Sequence, residues 1–241
     1  MQQYFIDTPV PESLHLKDDA IHHHLCRVMR AKVNDELIVC QPGETCFLMR
    51  IQIINDDHVV LERIHVINNA THPLSITLFQ GLIKRTHFEI SLQKAAELGA
   101  ARFVPLKSAR SIIKIDDNAV NKKTARYQTI AKEASEQSHR QDVMRVDVPT
   151  DVRDIDLKPF DVVIVPYEAA FSQMRLSSVF ADIKEGMSIA VVIGPEGGFS
   201  SDEIEHLKAR GARVVSLGRR ILRSETAALF TISAINYETE L

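Results

Sequence analysis

The stretch Val191-Val192-Ile193-Gly194-Pro195-Glu196-Gly197-Gly198-Phe199 decides the fold of the C-terminal part of this chain. An apolar strand ends in a glycine-rich loop, and a helix follows because Ser200 and Glu203 have the spacing of a capping box. Glycine permits positive φ and lets a ligand approach the backbone closely. Open α/β sheets bind ligands at the carboxyl ends of their strands, where this loop must lie. The motif is neither a Walker loop nor a GxGxxG fingerprint. An ordinary glycine-rich turn is the alternative.

A second loop with similar features follows the last predicted strand, Val214–Leu217. It reads Leu217-Gly218-Arg219-Arg220-Ile221-Leu222-Arg223-Ser224-Glu225-Thr226-Ala227 and leads into a final helix that Ser224 can cap. Arginines and a glutamate at the carboxyl edge of a sheet suggest an anionic group nearby. The alternative is that Glu225 only holds Arg223 and stabilises the loop.

Outward from these loops, strands and helices alternate from Leu74 onward, which predicts a mainly parallel sheet. A capping box at Thr86 and Glu89 predicts a helix that runs to Leu98 and stops at Gly99. The other predicted strands are Ile76–Leu82, Arg102–Leu106, Asp161–Val165 and Ser188–Ile193, and the other helices span 118–138, 200–211 and 224–237.

The N-terminal residues 1–70 are predicted to form mostly β structure, with short strands at 37–40, 47–53 and 58–62. Repeated strands with tight turns suggest a small barrel. One helix is expected from Asp18 to about Arg30, with Ile21, Leu25 and Val28 on one face and Arg27 and Arg30 sharing a side. A polar segment at 68–73 is expected to link this domain to a second one at 74–241.

Composition is that of an ordinary globular protein, with 45% hydrophobic residues and a net charge of −3. No apolar run is long enough for a membrane helix, and the start does not resemble an export signal. Cys26, Cys40 and Cys46 form no CxxC pair, so reduced core cysteines and a cytoplasmic setting are expected. His22-His23-His24 cannot converge on one ion, so no metal is expected.

Charge is distributed unevenly along the chain. Residues 102–145 hold ten Lys or Arg against five Asp or Glu, whereas residues 1–72 hold six against ten. A local basic excess in an acidic chain is consistent with nucleic-acid binding, and a solvated helix face is the alternative.

The two glycine-containing loops resemble the paired cofactor loops of the SPOUT methyltransferase superfamily. More narrowly, the chain resembles the family of bacterial 16S ribosomal RNA uridine-N3 methyltransferases. The segments that carry this narrower match, besides the two loops, are His24–Arg30, Gln93–Gly99 and Glu136–Arg140. They occur in collinear order over nearly the whole chain.

The resemblance implies an α/β fold with a SPOUT-type trefoil-knotted sheet, a PUA-like N-terminal β-barrel that holds RNA, and a homodimer. The implied cofactor is S-adenosylmethionine. Residues implied to bind it are Pro166, Gly194, Glu196, Gly197, Leu217, Gly218, Ile221, Leu222, Arg223, Thr226 and Ala227. Residues expected to contact RNA are Arg27, Arg30, Lys84, Lys107, Arg110, Lys114 and Arg140.

The implied reaction is methyl transfer to N3 of a uridine in 16S ribosomal RNA, within the small ribosomal subunit, without a metal. Arg223 is expected to stabilise negative charge on the uracil, and Glu225 to orient it or assist its deprotonation. Two alternatives stay open: a related RNA methyltransferase with another target, and a non-catalytic RNA-binding or ribosome-assembly factor.

Overall fold

The structure is a computed structural model, and it describes residues 1–67, 73–168 and 174–240, without the side chains of Asp117 and Glu240. The predicted linker at 68–73 lies, apart from Pro73, outside the described residues. Contacts divide the chain into two units. Unit 1 comprises Met1–Thr71 with Ser135–Val143, and unit 2 comprises His72–Ala134 with Met144–Leu241.

Unit 1 contains a five-stranded sheet with the order β1-β3-β4-β5-β2. β1 runs parallel to β3, and the remaining neighbours are antiparallel. Alternating apolar side chains face its core, as the short strand patterns predict. The strands are β1 (Gln2–Phe5), β2 (Ser13–Leu16), β3 (Glu36–Cys40), β4 (Cys46–Ile54) and β5 (Val59–Ile67).

This sheet is open among the described residues, so the predicted small barrel is not confirmed. β1 and β2 are its two edges, and no pairing joins them in the described part of the chain. The edge at β1 is satisfied differently: the backbone N–H of Phe5 donates to the Glu136 carboxylate over 2.9 Å, and the Gln3 side chain donates to the Arg140 carbonyl. Hydrogen bonds to the 135–143 segment therefore take the place of pairing with a further strand at this edge.

The helix predicted at 18–30 in unit 1 is shorter and less regular than expected. α1 spans Asp19–His23, capped by the Asp18 side chain, and continues as a π-helical turn over His24–Val28. The extra residue per turn rotates Val28 out of the apolar face, so that it is 57% exposed while Ile21 and Leu25 are buried. Arg30 has φ +52° and lies beyond the helix, so it does not share a helix side with Arg27.

Two of the three cysteines form a disulfide, which corrects the expectation of reduced core cysteines. Cys40 and Cys46 lie directly opposite each other on β3 and β4, are fully buried, and are bonded. Their pairing depends on the register of a hairpin, which their sequence spacing alone does not reveal. Cys26 is free and partly buried.

Unit 2 contains an eight-stranded sheet among the described residues, and all its strand pairs are parallel. The predicted mainly parallel α/β fold is confirmed. The order is β11-β13-β10-β12-β6-β7-β8, with β9 beside β7. The strands are β6 (Ser75–Gly81), β7 (Arg102–Lys107), β8 (Arg145–Val146), β9 (Thr150–Asp151), β10 (Val162–Pro166), β11 (Met174–Arg175), β12 (Ser188–Ile193) and β13 (Arg213–Ser216).

Helices cover both faces of this sheet, because successive strand residues point to opposite sides. On β12, Ile189 and Val191 face one core, whereas Ala190 and Val192 face the other. The first core is covered by α2 (Arg85–Glu97), α3 (Val120–Gln137) and α5 (Ser224–Glu240), and the second by α4 (Ser201–Ala209). No helix in the described ranges has the length and apolarity needed to cross a bilayer.

Of the two predicted capping boxes, one is confirmed. The Ser200 side chain accepts from the Glu203 backbone, and Glu203 accepts from the Ser200 backbone, at the start of α4. The box at Thr86 is wrong, because α2 begins at Arg85, two residues earlier than such a box requires, and Glu89 bonds Arg85 and Arg126 instead. Burial alone would raise the pKa of Glu89, but the hydrogen bonds from Arg126 and Arg85 lower it.

Candidate functional site

A cavity of about 340 Å³ lies in unit 2 at the carboxyl ends of three adjacent strands, β12, β10 and β13. A parallel sheet brings such strand ends to one edge, so the segments that follow them can line one cavity. The lining residues are Pro166–Glu168 at the end of β10, Ile193–Phe199 at the end of β12, and Ser216–Leu222 with Ser224 and Ala227 from the end of β13 onward.

The loop after β12 is held close to the end of β6. A side chain at Gly81 would place its Cβ 2.4 Å from the Pro195 nitrogen, so only glycine fits there. Gly198 has φ +66°, and a Cβ there would lie 3.0 Å from the Glu168 carboxylate. The glycines of this region therefore allow backbone segments to approach one another, in addition to leaving space for a ligand.

A buried hydrogen-bond chain joins the two glycine-containing loops. The Ser224 hydroxyl donates to the Gly194 carbonyl over 2.6 Å and accepts from Gln80 Nε2 over 2.7 Å. The Ser91 hydroxyl in turn donates to Gln80 Oε1 over 2.8 Å. All these side chains are buried. The Ser224 hydroxyl thus fixes the start of α5 to the β12 loop, a role that its predicted capping function did not include.

Two further segments pack against the β12 loop. The backbone N–H of Lys84 donates to Glu196 Oε1 over 3.1 Å, which places the start of α2 beside the cavity lining. The Arg110 guanidinium donates to the Gly197 carbonyl over 3.3 Å, and a Cβ at Gly197 would lie 3.1 Å from Arg110 Cβ. A larger residue at Gly197 would therefore disturb Arg110 as well as any ligand.

Glu225 is paired with a residue that the sequence did not single out. Its Oε1 lies 3.1 Å from Nδ1 of His87 on α2, and the Glu225 side chain is only 12% exposed. The alternative that Glu225 holds Arg223 is not what the structure has, because Glu225 pairs with His87 and Arg223 is exposed. His87 could have been selected from the sequence as a candidate site residue because it lies on the helix that follows the end of a predicted strand.

Most residues expected to bind the cofactor come together in the cavity. Two do not line it: Arg223, which is exposed, and Thr226, which borders an apolar hollow on α5. Tyr167, Glu168, Arg219 and Arg220 are additional lining residues. The expected residues that do line it are Pro166, Gly194, Glu196, Gly197, Leu217, Gly218, Ile221, Leu222 and Ala227.

The residues expected to contact RNA are exposed or half-buried, with one exception. The Arg140 side chain is only 10% exposed and is ion-paired with Asp142 in unit 1, which makes a phosphate contact there physically unfavourable. The others are Arg27 and Arg30 in unit 1 and Lys84, Lys107, Arg110 and Lys114 in unit 2.

The cavity combines carboxylates, arginines and glycine backbone, which suits a polar ligand with positive and hydrogen-bonding groups. Glu168 and Glu196 supply negative charge, and Arg219 and Arg220 supply positive charge. Within the described ranges, no group of three or more His, Cys, Asp and Glu side chains is arranged to hold a metal ion.

Fold and cavity together define an α/β protein with a ligand-sized site across the carboxyl ends of a parallel sheet. The family model of the RNA methyltransferase domain matches residues 70–236 of this chain. The chain therefore belongs to the RNA methyltransferase domain family.

Individual relatives agree with this family over their full lengths. The ribosomal RNA small subunit methyltransferase E of Bacillus subtilis is 36% identical, with 100% of this chain and 98% of that protein covered. The crystal structure of a ribosomal RNA small subunit methyltransferase E from Neisseria gonorrhoeae, bound to S-adenosyl methionine, is 26% identical with a TM-score of 0.85 and covers 99% and 98% of the two chains. A Legionella pneumophila methyltransferase in complex with the same cofactor is 28% identical, with a TM-score of 0.86 and coverage of 98% and 97%.

Proposed function

We propose that this protein transfers the methyl group of S-adenosylmethionine to N3 of a uridine in 16S ribosomal RNA of the small ribosomal subunit. The observation that carries the proposal is the cavity built by both glycine-containing loops, fixed to each other by the Ser224–Gly194 hydrogen bond. Relatives that match over the whole chain are named as small subunit methyltransferases, which supports the RNA substrate.

The lining residues fit the chemistry of this cofactor. Glu168 and Glu196 complement a sulfonium and can accept hydrogen bonds from ribose hydroxyls, while Leu217 and Leu222 offer apolar contact for adenine. At Gly218, φ is +113° and a Cβ would have no neighbour within 4 Å, so the backbone borders open space. When bound, S-adenosylmethionine supplies an activated methyl group.

The protein's own contribution to the reaction is positioning and charge stabilisation. Holding the nucleophilic nitrogen in line can contribute on the order of 7–11 kcal/mol in favourable cases. Arg223 directly precedes α5 and follows the lining residue Leu222. Its guanidinium, together with the positive end of the helix, stabilises the negative charge that develops on the uracil oxygens.

RNA is held mainly by cations outside the cofactor cavity. In unit 2 these are Lys84, Lys107, Arg110 and Lys114, and in unit 1 they are Arg27 and Arg30. Lys84 and Arg110 border the cavity through their contacts with Glu196 and Gly197, so they are suited to holding RNA close to the methyl group. Such contacts neutralise phosphates and make binding dependent on salt.

The C-terminal part forms a trefoil knot, the N-terminal unit is a PUA-like RNA-binding domain, and the active protein is a homodimer. The knot is supported by the strand order, in which β13 lies on the far side of β10 from β12 while α5 returns to pack on the core beside β12.

The dimer is supported by an apolar hollow on α5, lined by Phe180, Thr226, Leu229, Phe230, Ser233, Ala234 and Tyr237.

A ribosomal substrate requires that the protein act in the cytoplasm. Two experiments test the proposed function. Calorimetry with S-adenosylmethionine should give one binding event per chain; absence of binding would leave only a non-catalytic role. Primer extension on 16S ribosomal RNA from a strain that lacks the gene should lose one stop, which returns when the gene is restored. An unchanged pattern of stops would contradict the proposed substrate.

A further inference from the structure

His87 and Glu225 form a carboxylate–imidazole pair at the ends of two helices. Nδ1 of His87 lies 3.1 Å from Oε1 of Glu225, and His87 is 36% exposed whereas Glu225 is 12% exposed. An ionised carboxylate only accepts hydrogen bonds, so Nδ1 carries the proton in this pair. Nε2 is then the proton-accepting nitrogen, and no partner for it is found among the described residues.

Each residue of the pair is close in the chain to a residue that lines the cavity or is bonded to its lining. Glu225 directly follows Ser224, which lines the cavity. His87 lies in the first turn of α2, three residues after Lys84, whose backbone N–H is bonded to the lining residue Glu196. The pair therefore joins the first turns of α2 and α5, each of which follows or contains a residue that lines the cavity or is bonded to its lining, and Glu225 is two residues after Arg223 in the chain.

We propose that His87 is the proton acceptor for the reacting N–H of the RNA base and that Glu225 is its positioning residue. The proposal rests on the proposed function, because a uridine N3 must lose its proton to attack. Nε2 of His87 takes this proton, and the N3 electron pair forms the bond to the methyl carbon. The carbon–sulfur bond breaks, its electron pair stays on sulfur to give S-adenosylhomocysteine, and the imidazolium later passes its proton to water.

The charged groups around His87 are compatible with this role. On α2 itself, Arg85 and Glu89 flank it, and Glu89 is bonded to both Arg85 and Arg126 of α3, so this group carries one net positive charge. From α5 it faces Glu225, with Arg223 nearby in the chain, and from the β12 loop Glu196 is bonded to Lys84. Glu225 is the carboxylate that stabilises an imidazolium at this position.

A purely structural pair, which pins α2 to α5, is the competing explanation, and His87→Lys separates the two. Lysine retains a cation opposite Glu225 but remains protonated near neutral pH, so it cannot accept the proton. We expect kcat to fall by about 10²–10⁴-fold, the usual scale for losing a general base, with S-adenosylhomocysteine affinity within threefold of the wild type. In His87→Ala, added imidazole should restore part of the rate.

Glu225→Gln tests the positioning role, because the amide oxygen still accepts from Nδ1 while the charge is lost. The rate should fall by about tenfold with the RNA KM unchanged, since the imidazolium formed on proton transfer is no longer stabilised by a carboxylate. A residue that only pins the helices would leave kcat unchanged in this variant, because the amide keeps the hydrogen bond to Nδ1.

A spectroscopic readout tests the geometry without turnover. Nitrogen NMR of the full-length protein should show the His87 ring in its Nδ1–H form at neutral pH, and Glu225→Ala should shift it toward the Nε2–H form. An Nε2–H ring in the wild type, or a His87→Lys variant with more than half of the wild-type rate, would overturn the proposal. A wild type that transfers no methyl group to ribosomal RNA refutes the proposed function and the acceptor role together.

Discussion

The hydroxyl of Ser224, the first residue of α5, donates a 2.6 Å hydrogen bond to the carbonyl of Gly194, the first residue after β12. The two residues are 30 positions apart, and each belongs to a different loop of the cavity. Gln80, deep in the sheet, donates to the same hydroxyl. The relative position of the two loops therefore depends on a buried contact within the protein and does not require a bound ligand.

Replacing Ser224 with alanine should weaken both the fold and cofactor binding. The variant removes the Ser224 donor to the Gly194 carbonyl and one of the two hydrogen bonds that Gln80 Nε2 donates, the other being to the Gly81 carbonyl. Leaving a buried polar group unsatisfied costs about 1–3 kcal/mol. We expect a lower Tm and at least a fivefold loss of S-adenosylhomocysteine affinity by calorimetry. Ser178→Ala is the control, because Ser178 is exposed and its hydroxyl donates to the nearby Arg175 carbonyl. Equal affinity in both variants would contradict this role.

Replacing Arg223 with alanine should reduce turnover far more than cofactor binding. Arg223 is exposed and does not line the cavity, so its expected effect is on charge that develops in the RNA base. We expect kcat to fall by about 10²–10³-fold, the usual scale for losing one electrostatic stabiliser. Arg223→Lys keeps the charge and should retain more activity than the alanine variant. Loss of cofactor binding in Arg223→Ala would instead assign the residue to the cavity.

Replacing Phe230 with glutamate should separate the proposed dimer. Phe230 is 46% exposed and Tyr237 is 71% exposed on the same apolar stretch of α5, where burial by a second copy is expected. Light scattering should change from a dimer to a species near 27.1 kDa. Ile112→Glu is the matched control, because Ile112 is an 81% exposed apolar residue that does not line the hollow on α5. A wild-type protein that is already monomeric at micromolar concentration would contradict the dimer.

Replacing both Arg27 and Arg30 with alanine should weaken RNA binding and flatten its salt dependence. Fewer counterions are released when two phosphate contacts are lost, so the slope of log affinity against log salt should decrease by about 1.5. Cofactor affinity should remain unchanged. Arg145→Ala is a suitable control, because Arg145 is an exposed arginine paired with Asp147. A variant that loses affinity for both ligands would indicate misfolding or an incorrect assignment of Arg27 and Arg30.

Local patterns in the sequence predicted the elements that build the cavity. The apolar run 188–193 is β12 with the predicted bounds, and the capping box at Ser200 and Glu203 starts α4. Each of these depends on neighbouring residues alone, through strand burial or backbone N–H groups at a helix start.

Features that depend on tertiary structure were missed. The periodicity of α1 gives no sign of the π-helical turn at His24–Val28, because a π turn shifts the helix face without altering the composition. The Cys40–Cys46 bond requires a hairpin register, and the His87–Glu225 pair joins helices more than 100 residues apart. Long-range pairs of this kind leave no local spacing in the chain.

The central claim is tested most directly by the identity of the methylated nucleoside. The purified protein is incubated with S-adenosylmethionine carrying a deuterated methyl group and with small ribosomal subunits from a strain that lacks the gene. The 16S ribosomal RNA is then digested and its nucleosides are analysed by mass spectrometry. The account predicts one deuterated 3-methyluridine per 16S ribosomal RNA; label on a ribose, on another base, or on no nucleoside would contradict it.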